Sequence, residues 1–249
     1  MDKNRYKKTD DIESLFINPS PKIGYGLYAI RKSLKKAVDD LKDKISGDVA
    51  DLGCGIMPYR KLLQSNGKIN RYIGIDLENS DYHNQVKPDL YWDGFTIPLS
   101  DNSLDWVIVT EFLEHYFDTN HILTEIKRVL KPGGKVFFTV PFIYMFHEVP
   151  FDYHRFTPFS IEKYFKNASY DKVDIYALGG FNHSLIIMIS LWNKKSGERG
   201  LTRLFFKLFL FLFNKSLLNR DAYLTSDKAK IDLFNNHNMP SGLWGYGHK

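Results

Sequence analysis

Cysteine is almost absent from this 249-residue sequence, in which Cys54 is the only one. A single thiol can form neither an intrachain disulfide nor a metal site built on several thiolates. The first residues, MDKNRYKKTDD, are polar and do not have the apolar stretch of a secretory signal peptide. We therefore expect a cytoplasmic protein, and the sequence predicts no metal site.

Long uninterrupted apolar runs are also missing. The most apolar segment lies at about 181–225, but Arg203 and Lys207 interrupt it, and its longest unbroken run is 208–213. A membrane-spanning helix needs about 20 apolar residues, so this segment is not expected to span. Four interpretations stay open: a buried helix, a dimer face, a lid over an apolar acceptor, or a helix at 201–218 that lies on the inner face of a membrane. The first two are slightly favoured.

A strong charge of one sign is absent as well. The net charge is +5, with 34 Lys and Arg against 29 Asp and Glu. The basic cluster RKSLKK at 31–36 alternates with apolar residues at helical spacing, which favours a solvated helix face over a nucleic-acid groove. Nucleic acid is therefore disfavoured as a partner.

What the sequence does contain is an alternation of strand and helix patterns. A helical segment is predicted at 1–46, and an amphipathic helix at 119–130 should stop at KPGG, 131–134. Strands are predicted at 48–53, 71–76, 88–92, 104–110, 135–140, 172–178 and 242–248. This pattern predicts one α/β domain over 1–249, with a doubly wound, mostly parallel sheet and an apolar helical insert at about 181–225. Ligands then bind beyond the carboxyl ends of the strands.

The first predicted strand runs into a glycine turn, VADLGCGIMPYR. Gly53 and Gly55 permit a tight turn that a ligand can approach closely, but Pro58 stands where the dinucleotide fingerprint G-x-G-x-x-G has its third glycine. Asp51 adds a carboxylate, which repels a diphosphate and suits an ammonium group. S-adenosylmethionine has an ammonium group and no diphosphate, so it fits this turn.

A second acid, Asp76, ends the second predicted strand. It lies 23 residues after Gly53, close to the spacing of about 20 at which an acid binds a ribose. Each feature alone is common among proteins, but their combination at this spacing indicates a nucleoside ligand.

The segments that follow complete a set of motifs. They are DLGCG (51–55), IGID (73–76), WDGFTIPLSDNSLDWVIVTEFLEH (92–115) and EIKRVLKPGGKVFFTVPF (125–142). As a set, over about 48–160, they resemble the class I S-adenosylmethionine-dependent methyltransferases of the type-11 branch. The resemblance implies a seven-stranded, Rossmann-like sheet whose last strand is antiparallel, and S-adenosylmethionine as the cofactor.

The resemblance also implies roles for single residues. Asp51, Gly53 and Gly55 would contact the methionine part of the cofactor, and Asp76 would bind its ribose. Leu77, Asp93 and Gly94 would lie at the adenine. Glu111 would lie near the methionine end or the acceptor. Asp93 could instead cap a turn. Cys54, counted with the cofactor loop, is expected to pack there rather than act as a nucleophile. Glu114 and His115 could be surface residues that open a helix, and a ligand or base role for His115 is less favoured.

A long loop follows the fifth strand, PFIYMFHEVPFDYHRFTPFSIEKYF at 141–165. Its polar residues sit among aromatics and resemble a type-11 subset associated with bacterial glycan or lipid-linked sugar metabolism. His147 and His154 are the candidate bases for an acceptor hydroxyl, because neutral imidazole is available near pH 7. The candidate acceptor-binding residues are Glu148, Asp152, Tyr153 and Arg155. A purely structural role is an equal alternative for each histidine, and Arg155 could lock the loop by pairing with Glu148 or Asp152.

The sequence therefore predicts a methyltransferase for a small molecule, with O-methylation of a sugar or lipid-linked glycan intermediate as the leading hypothesis. RNA or protein methylation stays open, as does a non-catalytic protein that binds S-adenosylmethionine, and the oligomeric state is left open. Adenine-N6 DNA methylation is disfavoured because TEFLEH follows the fourth strand instead of a [DN]-P-P-[YFW] pattern. Pro58 and Asp51 disfavour a nucleotide-dependent dehydrogenase.

Overall fold

The computed structural model describes residues 13–78, 86–197, 199–221 and 239–249. Residues 1–12 of the predicted N-terminal segment and residues 222–225 of the predicted insert lie outside this part. The strands are β1 (Gly47–Leu52), β2 (Ile69–Leu77), β3 (Leu90–Trp92), β4 (Leu104–Thr110), β5 (Leu130–Pro141), β6 (Lys172–Leu178) and β7 (Gly242–His248). The α-helices of the described residues are α1 (Tyr25–Lys44), α2 (Arg60–Gln64), α3 (Thr119–Val129), α4 (Pro158–Asn167), α5 (Phe181–Lys195) and α6 (Leu201–Asp221). Short helical turns lie at Glu13–Ile17, Pro21–Ile23 and Leu113–His115.

All seven described strands form one sheet in the order β3-β2-β1-β4-β5-β7-β6. The first five in this order pair in parallel, and β7 runs antiparallel between β5 and β6. The predicted fold is thereby confirmed, including the antiparallel last strand. The chain leaves β1 toward β2 on one side and resumes at β4 on the other, so the switch point lies between β1 and β4.

Alternate residues of the central strands supply two separate cores. Ala50 and Leu52 face the core that contains α3 and α4, whereas Val49 faces the one that contains α1 and α2. The same alternation separates Phe138 from Phe137 on β5. Successive strand side chains point to opposite faces, and burial of a large apolar side chain contributes about 1.5–3 kcal/mol. Helices on both faces therefore stabilise a sheet that is apolar on both sides.

The segment KPGG ends helix α3 as predicted, but it does not separate the helix from the next strand. Strand β5 begins at Leu130, five residues before the prediction, and includes KPGG. Leu104 pairs with Leu130, and the next pair is Trp106 with Lys135, so the extra residues form an irregularity in the strand. Gly133 N–H donates to the carbonyl of Lys249. The chain end therefore satisfies backbone groups that sequence reasoning left in a loop.

The apolar insert forms α5 and α6. Ile186 and Ile187 of α5 and Leu210 and Leu218 of α6 pack with Ala29 of α1 in a third cluster. The opposite face of α6 is exposed, so the interpretation of the insert as a buried helix is wrong for that face. No described helix is long and apolar enough to cross a membrane.

Candidate active site

The glycine turn after β1 has the conformation that the sequence predicts. Gly53 and Gly55 have φ of 69° and 49°, in the region that disfavours side chains. A Cβ on Gly53 would lie 2.2 Å from the ring of Phe112. Cys54 is buried, and burial raises the pKa of its thiol, so it stays protonated and packs as expected. The turn is thus fixed both by backbone conformation and by the residue after β4 that packs on it.

Asp51 is a buried carboxyl at the end of β1. The Tyr72 hydroxyl donates to its Oδ2 at 2.6 Å. Burial is the largest influence and raises the pKa of Asp51 to about 7; the Tyr72 bond lowers it and the nearby Asp76 raises it. The carboxyl is therefore poised to ionise when a cation approaches.

Asp76 is almost fully buried and holds the glycine turn from the end of β2. Its Oδ2 accepts from Gly55 N–H at 2.9 Å, and its Oδ1 accepts from Leu77 N–H at 2.8 Å. The structure therefore brings Asp51, Asp76 and both glycines together at the carboxyl ends of β1 and β2.

The three residues assigned to the adenine lie beside each other at the edge of the sheet. Leu77 is 46% exposed, and a Cβ on Gly94 would lie 3.2 Å from its Cδ2. Asp93 Oδ1 accepts from the N–H groups of Phe95 and Thr96, both at 2.8 Å, and these bonds lower the pKa of Asp93. Asp93 thus caps a turn, as the alternative interpretation expects, and it also lines an open cleft of about 350 Å³. Its contact with adenine stays a prediction.

Glu111 follows β4 with φ of 49°, and Thr139 of β5 holds it. The Thr139 hydroxyl donates to its Oε1 at 3.0 Å. Burial raises the pKa of Glu111, while the charges of Arg31 and Arg155 act in the opposite direction. Arg31 belongs to the cluster that the sequence assigned to a solvated helix face. That assignment is wrong for Arg31, which is half-buried and lies 3.9 Å above the Phe16 ring.

Glu114 and His115 are not surface residues that open a helix. Glu114 is fully buried in the short turn Leu113–His115. Its Oε1 lies 3.7 Å from His115 Nε2 and 4.0 Å from His147 Nε2. Among the described residues, neither carboxylate oxygen of Glu114 has a hydrogen-bond partner. Burial, then the charge of Glu111, raises the pKa of Glu114 well above its ordinary value.

The long loop reaches this cluster through backbone hydrogen bonds. The N–H groups of Tyr153 and His154 donate to the carbonyl of Glu114 at 2.9 and 3.2 Å. His147 N–H donates to Asp152 Oδ2 at 2.9 Å, and Arg155 Nη2 donates to the same oxygen at 2.8 Å. Asp152 is thus the loop-locking partner of Arg155, and this ion pair holds the pKa of Asp152 well below its usual range.

The structure separates the two candidate bases. His147 lies against Glu114, and burial followed by the nearby His115 lowers the pKa of its imidazole. His154 Nε2 instead bonds the carbonyl of Phe117 at 3.0 Å, where its ring stacks on the Phe117 ring. The His147 imidazole therefore lies beside the buried Glu114 carboxyl, whereas the contacts of His154 fit a structural role.

A second open cleft, of about 310 Å³, adjoins the cluster at His115. Aromatic side chains dominate its lining, which comprises Phe95, His115, Tyr116, Phe117, Asp118, His121, Phe151 and Tyr153. Tyr153 is the predicted acceptor residue that lines it, and Glu148 is exposed with φ of 51°. Sequence reasoning missed the aromatic lining because its members come from separate loops.

Comparisons with known proteins agree with this geometry. A family model described as a methyltransferase domain matches residues 50–138. An uncharacterised 37.1 kDa protein in a transposon of Streptomyces fradiae is 31% identical over 42% of this chain and 33% of its own length. A demethylmenaquinone methyltransferase of Corynebacterium kroppenstedtii is 30% identical over 49% of this chain and 54% of its own length. The chain therefore spans about half or less of these curated relatives.

Solved structures resemble the chain over most of its length. A SAM-dependent methyltransferase from Archaeoglobus fulgidus superposes with a TM-score of 0.55 at 15% identity, over 95% of this chain and 97% of that one. Phosphoethanolamine N-methyltransferase 2 of Haemonchus contortus, in complex with S-adenosyl-L-methionine, superposes with a TM-score of 0.52 at 18% identity. The match covers 94% of this chain and 59% of that one. At such low identity these likenesses show the fold.

Proposed function

We propose, from the match of residues 50–138 to a methyltransferase domain, that the chain is a class I S-adenosylmethionine-dependent methyltransferase of the type-11 branch and that it transfers a methyl group from S-adenosylmethionine to a hydroxyl of a small, ring-shaped acceptor. One observation carries the proposal. The glycine turn, Asp76 that accepts from Gly55, and the buried Asp51 lie at the carboxyl ends of β1 and β2, and the cleft lined by His115 lies beyond the carboxyl end of β4.

The donor side of the site suits an amino-acid nucleoside. Asp51 is proposed to receive the ammonium group through Oδ1, since the Tyr72 hydroxyl bonds Oδ2. Asp76, next to the turn, is proposed to bind the ribose, and exposed Leu77 to cover one face of the adenine. Cys54 and Gly94 are proposed to line the cofactor site through their backbone.

The acceptor side suits a small molecule. A cleft of about 310 Å³ is at the lower end of the size range of small-ligand sites. Its aromatic walls favour a flat ring or the apolar face of a sugar. Tyr153 is proposed to contact the acceptor directly, while Asp152 and Arg155 position the loop. Exposed Glu148 is proposed to contact an acceptor that extends beyond the cleft.

Methyl transfer to oxygen requires that the acceptor lose a proton. In the proposed step, the acceptor oxygen forms a bond to the methyl carbon as the carbon–sulfur bond breaks, and that electron pair stays on sulfur. The hydroxyl proton leaves through the cluster of Glu114, His115 and His147. Alignment of donor and acceptor contributes most of the rate, up to several kcal/mol of the barrier. His154 is proposed to hold the loop rather than to take the proton.

A labelled-methyl assay tests the proposal. The chain is incubated with methyl-labelled S-adenosylmethionine and a panel of sugars, lipid-linked sugars, phenols and quinols, together with RNA and protein controls. We expect label on a small hydroxyl-bearing acceptor and stoichiometric S-adenosylhomocysteine. Failure to bind either nucleoside in calorimetry would overturn the enzyme assignment, and label on RNA or protein would overturn the acceptor class.

We also propose that the acceptor carries a lipid and that α6 lies on the membrane surface where such an acceptor resides. Six apolar side chains on one face of α6 are between 52% and 85% exposed: Leu201, Leu204, Phe205, Leu208, Phe211 and Leu212. Arg203, Lys207 and Lys215 of the same helix are exposed as well. An apolar stripe with basic neighbours suits an anionic bilayer surface.

Vesicle co-sedimentation tests this surface. The wild-type chain should sediment with anionic vesicles, and the double variant Phe205→Ser, Phe211→Ser should stay in solution. Phe159→Ser, which removes an aromatic side chain that is 60% exposed on α4, is the matched control and should still sediment. If the wild-type chain does not bind and instead forms a dimer that the double variant breaks, the exposed face is a dimer contact.

A further inference from the structure

Three ligand-type atoms converge on one point beside the acceptor cleft. Glu114 Oε1 lies 3.7 Å from His115 Nε2 and 4.0 Å from His147 Nε2, and the ligand atoms of the three residues all lie within 4.8 Å of one another. The carboxylate is fully buried and has no hydrogen-bond partner among the described residues. A buried polar group without a partner is costly, commonly about 1–3 kcal/mol, and calls for an explanation.

The two imidazoles are oriented as metal ligands usually are. His115 Nδ1 bonds the carbonyl of Phe151 at 2.8 Å, which makes Nδ1 the donor and leaves the lone pair on Nε2. His147 Nδ1 lies 3.3 Å from Asp152 Oδ2, close to the carboxylate although not aligned as a hydrogen bond. Imidazoles that bind metals typically donate their other N–H to a carbonyl or a carboxylate. Both Nε2 atoms therefore face the buried oxygen of Glu114.

We propose that Glu114, His115 and His147 bind one divalent transition-metal cation through Oε1 and the two Nε2 atoms. A cation about 2.1 Å from each ligand holds neighbouring ligands about 3.0–3.4 Å apart. The distances of 3.7 and 4.0 Å from Glu114 Oε1 exceed this range by about 0.3–1.0 Å, and the two imidazole ligand atoms, within 4.8 Å of each other, must approach by up to about 1.8 Å, so all three side chains would close on the cation. Two imidazoles and one carboxylate suit Zn²⁺, Mn²⁺, Fe²⁺ or Co²⁺ rather than Ca²⁺ or Mg²⁺.

The surrounding charges also favour a cation. Glu111, Glu114 and Asp152 bring three carboxyl groups to this region, and Arg31 and Arg155 bring two guanidinium groups. A cation would give the buried carboxylate oxygen the partner that it lacks among the described residues.

The position of the site gives the cation a role, and this role rests on the proposed function. His115 lines the acceptor cleft, so an acceptor hydroxyl in the cleft can occupy an open position on the cation. A bound hydroxyl loses its proton more readily, here to water in the open cleft. His147 then acts as a ligand rather than as a free base, and the sequence prediction of no metal is replaced.

Metal binding is measured without any acceptor. The full chain is treated with a chelator, then titrated with Co²⁺ while visible absorption is recorded, and with Zn²⁺ in calorimetry. We expect one equivalent to bind and to give the absorption bands of cobalt bound by nitrogen and oxygen. Glu114→Gln and His147→Ala should each weaken binding at least about tenfold. Because Gln has the same length and nearly the same shape as Glu, Glu114→Gln should keep its melting temperature.

His154→Ala is the matched control, because His154 belongs to the same loop but not to the cluster, and it should bind the cation as the wild-type chain does. Binding of S-adenosylmethionine is measured on the same samples. If the chain binds the nucleoside but no cation at one equivalent, or if His154→Ala weakens the cation as much as His147→Ala, the metal inference is wrong and the proposed function stands. If the cation binds and the nucleoside does not, the metal inference stands and the proposed function is wrong.

Discussion

The buried carboxyl of Asp51 should make S-adenosylmethionine binding depend on pH. Burial raises its pKa from 3.8 to about 7. With that pKa, about 9% of the carboxyl is ionised at pH 6 and about 91% at pH 8. An ammonium group binds the ionised form more tightly, so the affinity should rise about tenfold from pH 6 to pH 8 and then level off.

The control is Asp51→Asn, which can accept the hydrogen bond of Tyr72 but cannot ionise. Calorimetry at pH 6, 7 and 8 gives Kd for both proteins. Titration of the ligand's own amino group affects the affinity of both proteins equally. The ratio of the two affinities therefore reports the ionisation of Asp51 alone. We expect the advantage of the wild-type chain to be about tenfold larger at pH 8 than at pH 6. A ratio that is constant, or that falls toward pH 8, would refute the placement of the ammonium group at Asp51.

The same ionisation should oppose folding of the cofactor-free chain. The pKa of Asp51 is higher in the folded chain, so the folded state keeps a proton that the unfolded state releases between about pH 4 and pH 7. Stability from this group is therefore present at low pH and falls as the pH rises through that window. The change from 3.8 to about 7 corresponds to about 4 kcal/mol. Asp51→Asn should raise the Tm of the cofactor-free chain clearly at pH 8 and less at pH 5.

Three other substitutions test the site. Asp76→Ala removes the acceptor of Gly55 N–H in the glycine turn and of Leu77 N–H, together with the proposed ribose contact, so Kd for S-adenosylmethionine should rise about tenfold or more; an unchanged Kd contradicts the ribose assignment. Gly53→Ala would set a Cβ 2.2 Å from an aromatic ring, whereas Gly67→Ala, also at positive φ, meets nothing within 4 Å. Thermal melts should therefore show a loss of about 1–2 kcal/mol for Gly67→Ala and a larger one for Gly53→Ala; equal losses would show that the ring does not restrict the turn. His147→Ala should lower turnover at least about tenfold with little effect on cofactor affinity, and His154→Ala should mainly lower Tm; full activity of the first variant removes His147 from the reaction.

Much of the fold could be predicted from local patterns. Strands β4, β6 and β7 have the bounds that their apolar runs predict. The methyltransferase-domain match over residues 50–138 agrees with the predicted family, whose motifs are short and contiguous. The predicted start of β5 was wrong because KPGG is typical of a loop, and its hydrogen bonds are made with Lys249, which is distant in sequence. The division of the chain into one domain and the roles of the site residues stay predictions.

The acceptor side could not be predicted in the same way. Glu114 looks like a surface residue in TEFLEH, and its burial depends on the loop at 141–157, which covers it. Arg31 looks like part of a solvated face, yet it is half-buried and lies above the Phe16 ring. No local pattern records which distant segment packs against a residue.

The amino-acid order alone determined the glycine turn, the acids at Asp51 and Asp76, and the alternation of strands and helices. It could do so because backbone conformation, strand period and motif spacing are properties of neighbours in the chain. Only the tertiary structure decided that the imidazole of His147, and not that of His154, lies beside the Glu114 carboxyl and His115, and that one face of α6 is left exposed. Those outcomes depend on packing between segments far apart in sequence, where burial and charge are set by whatever the fold brings alongside.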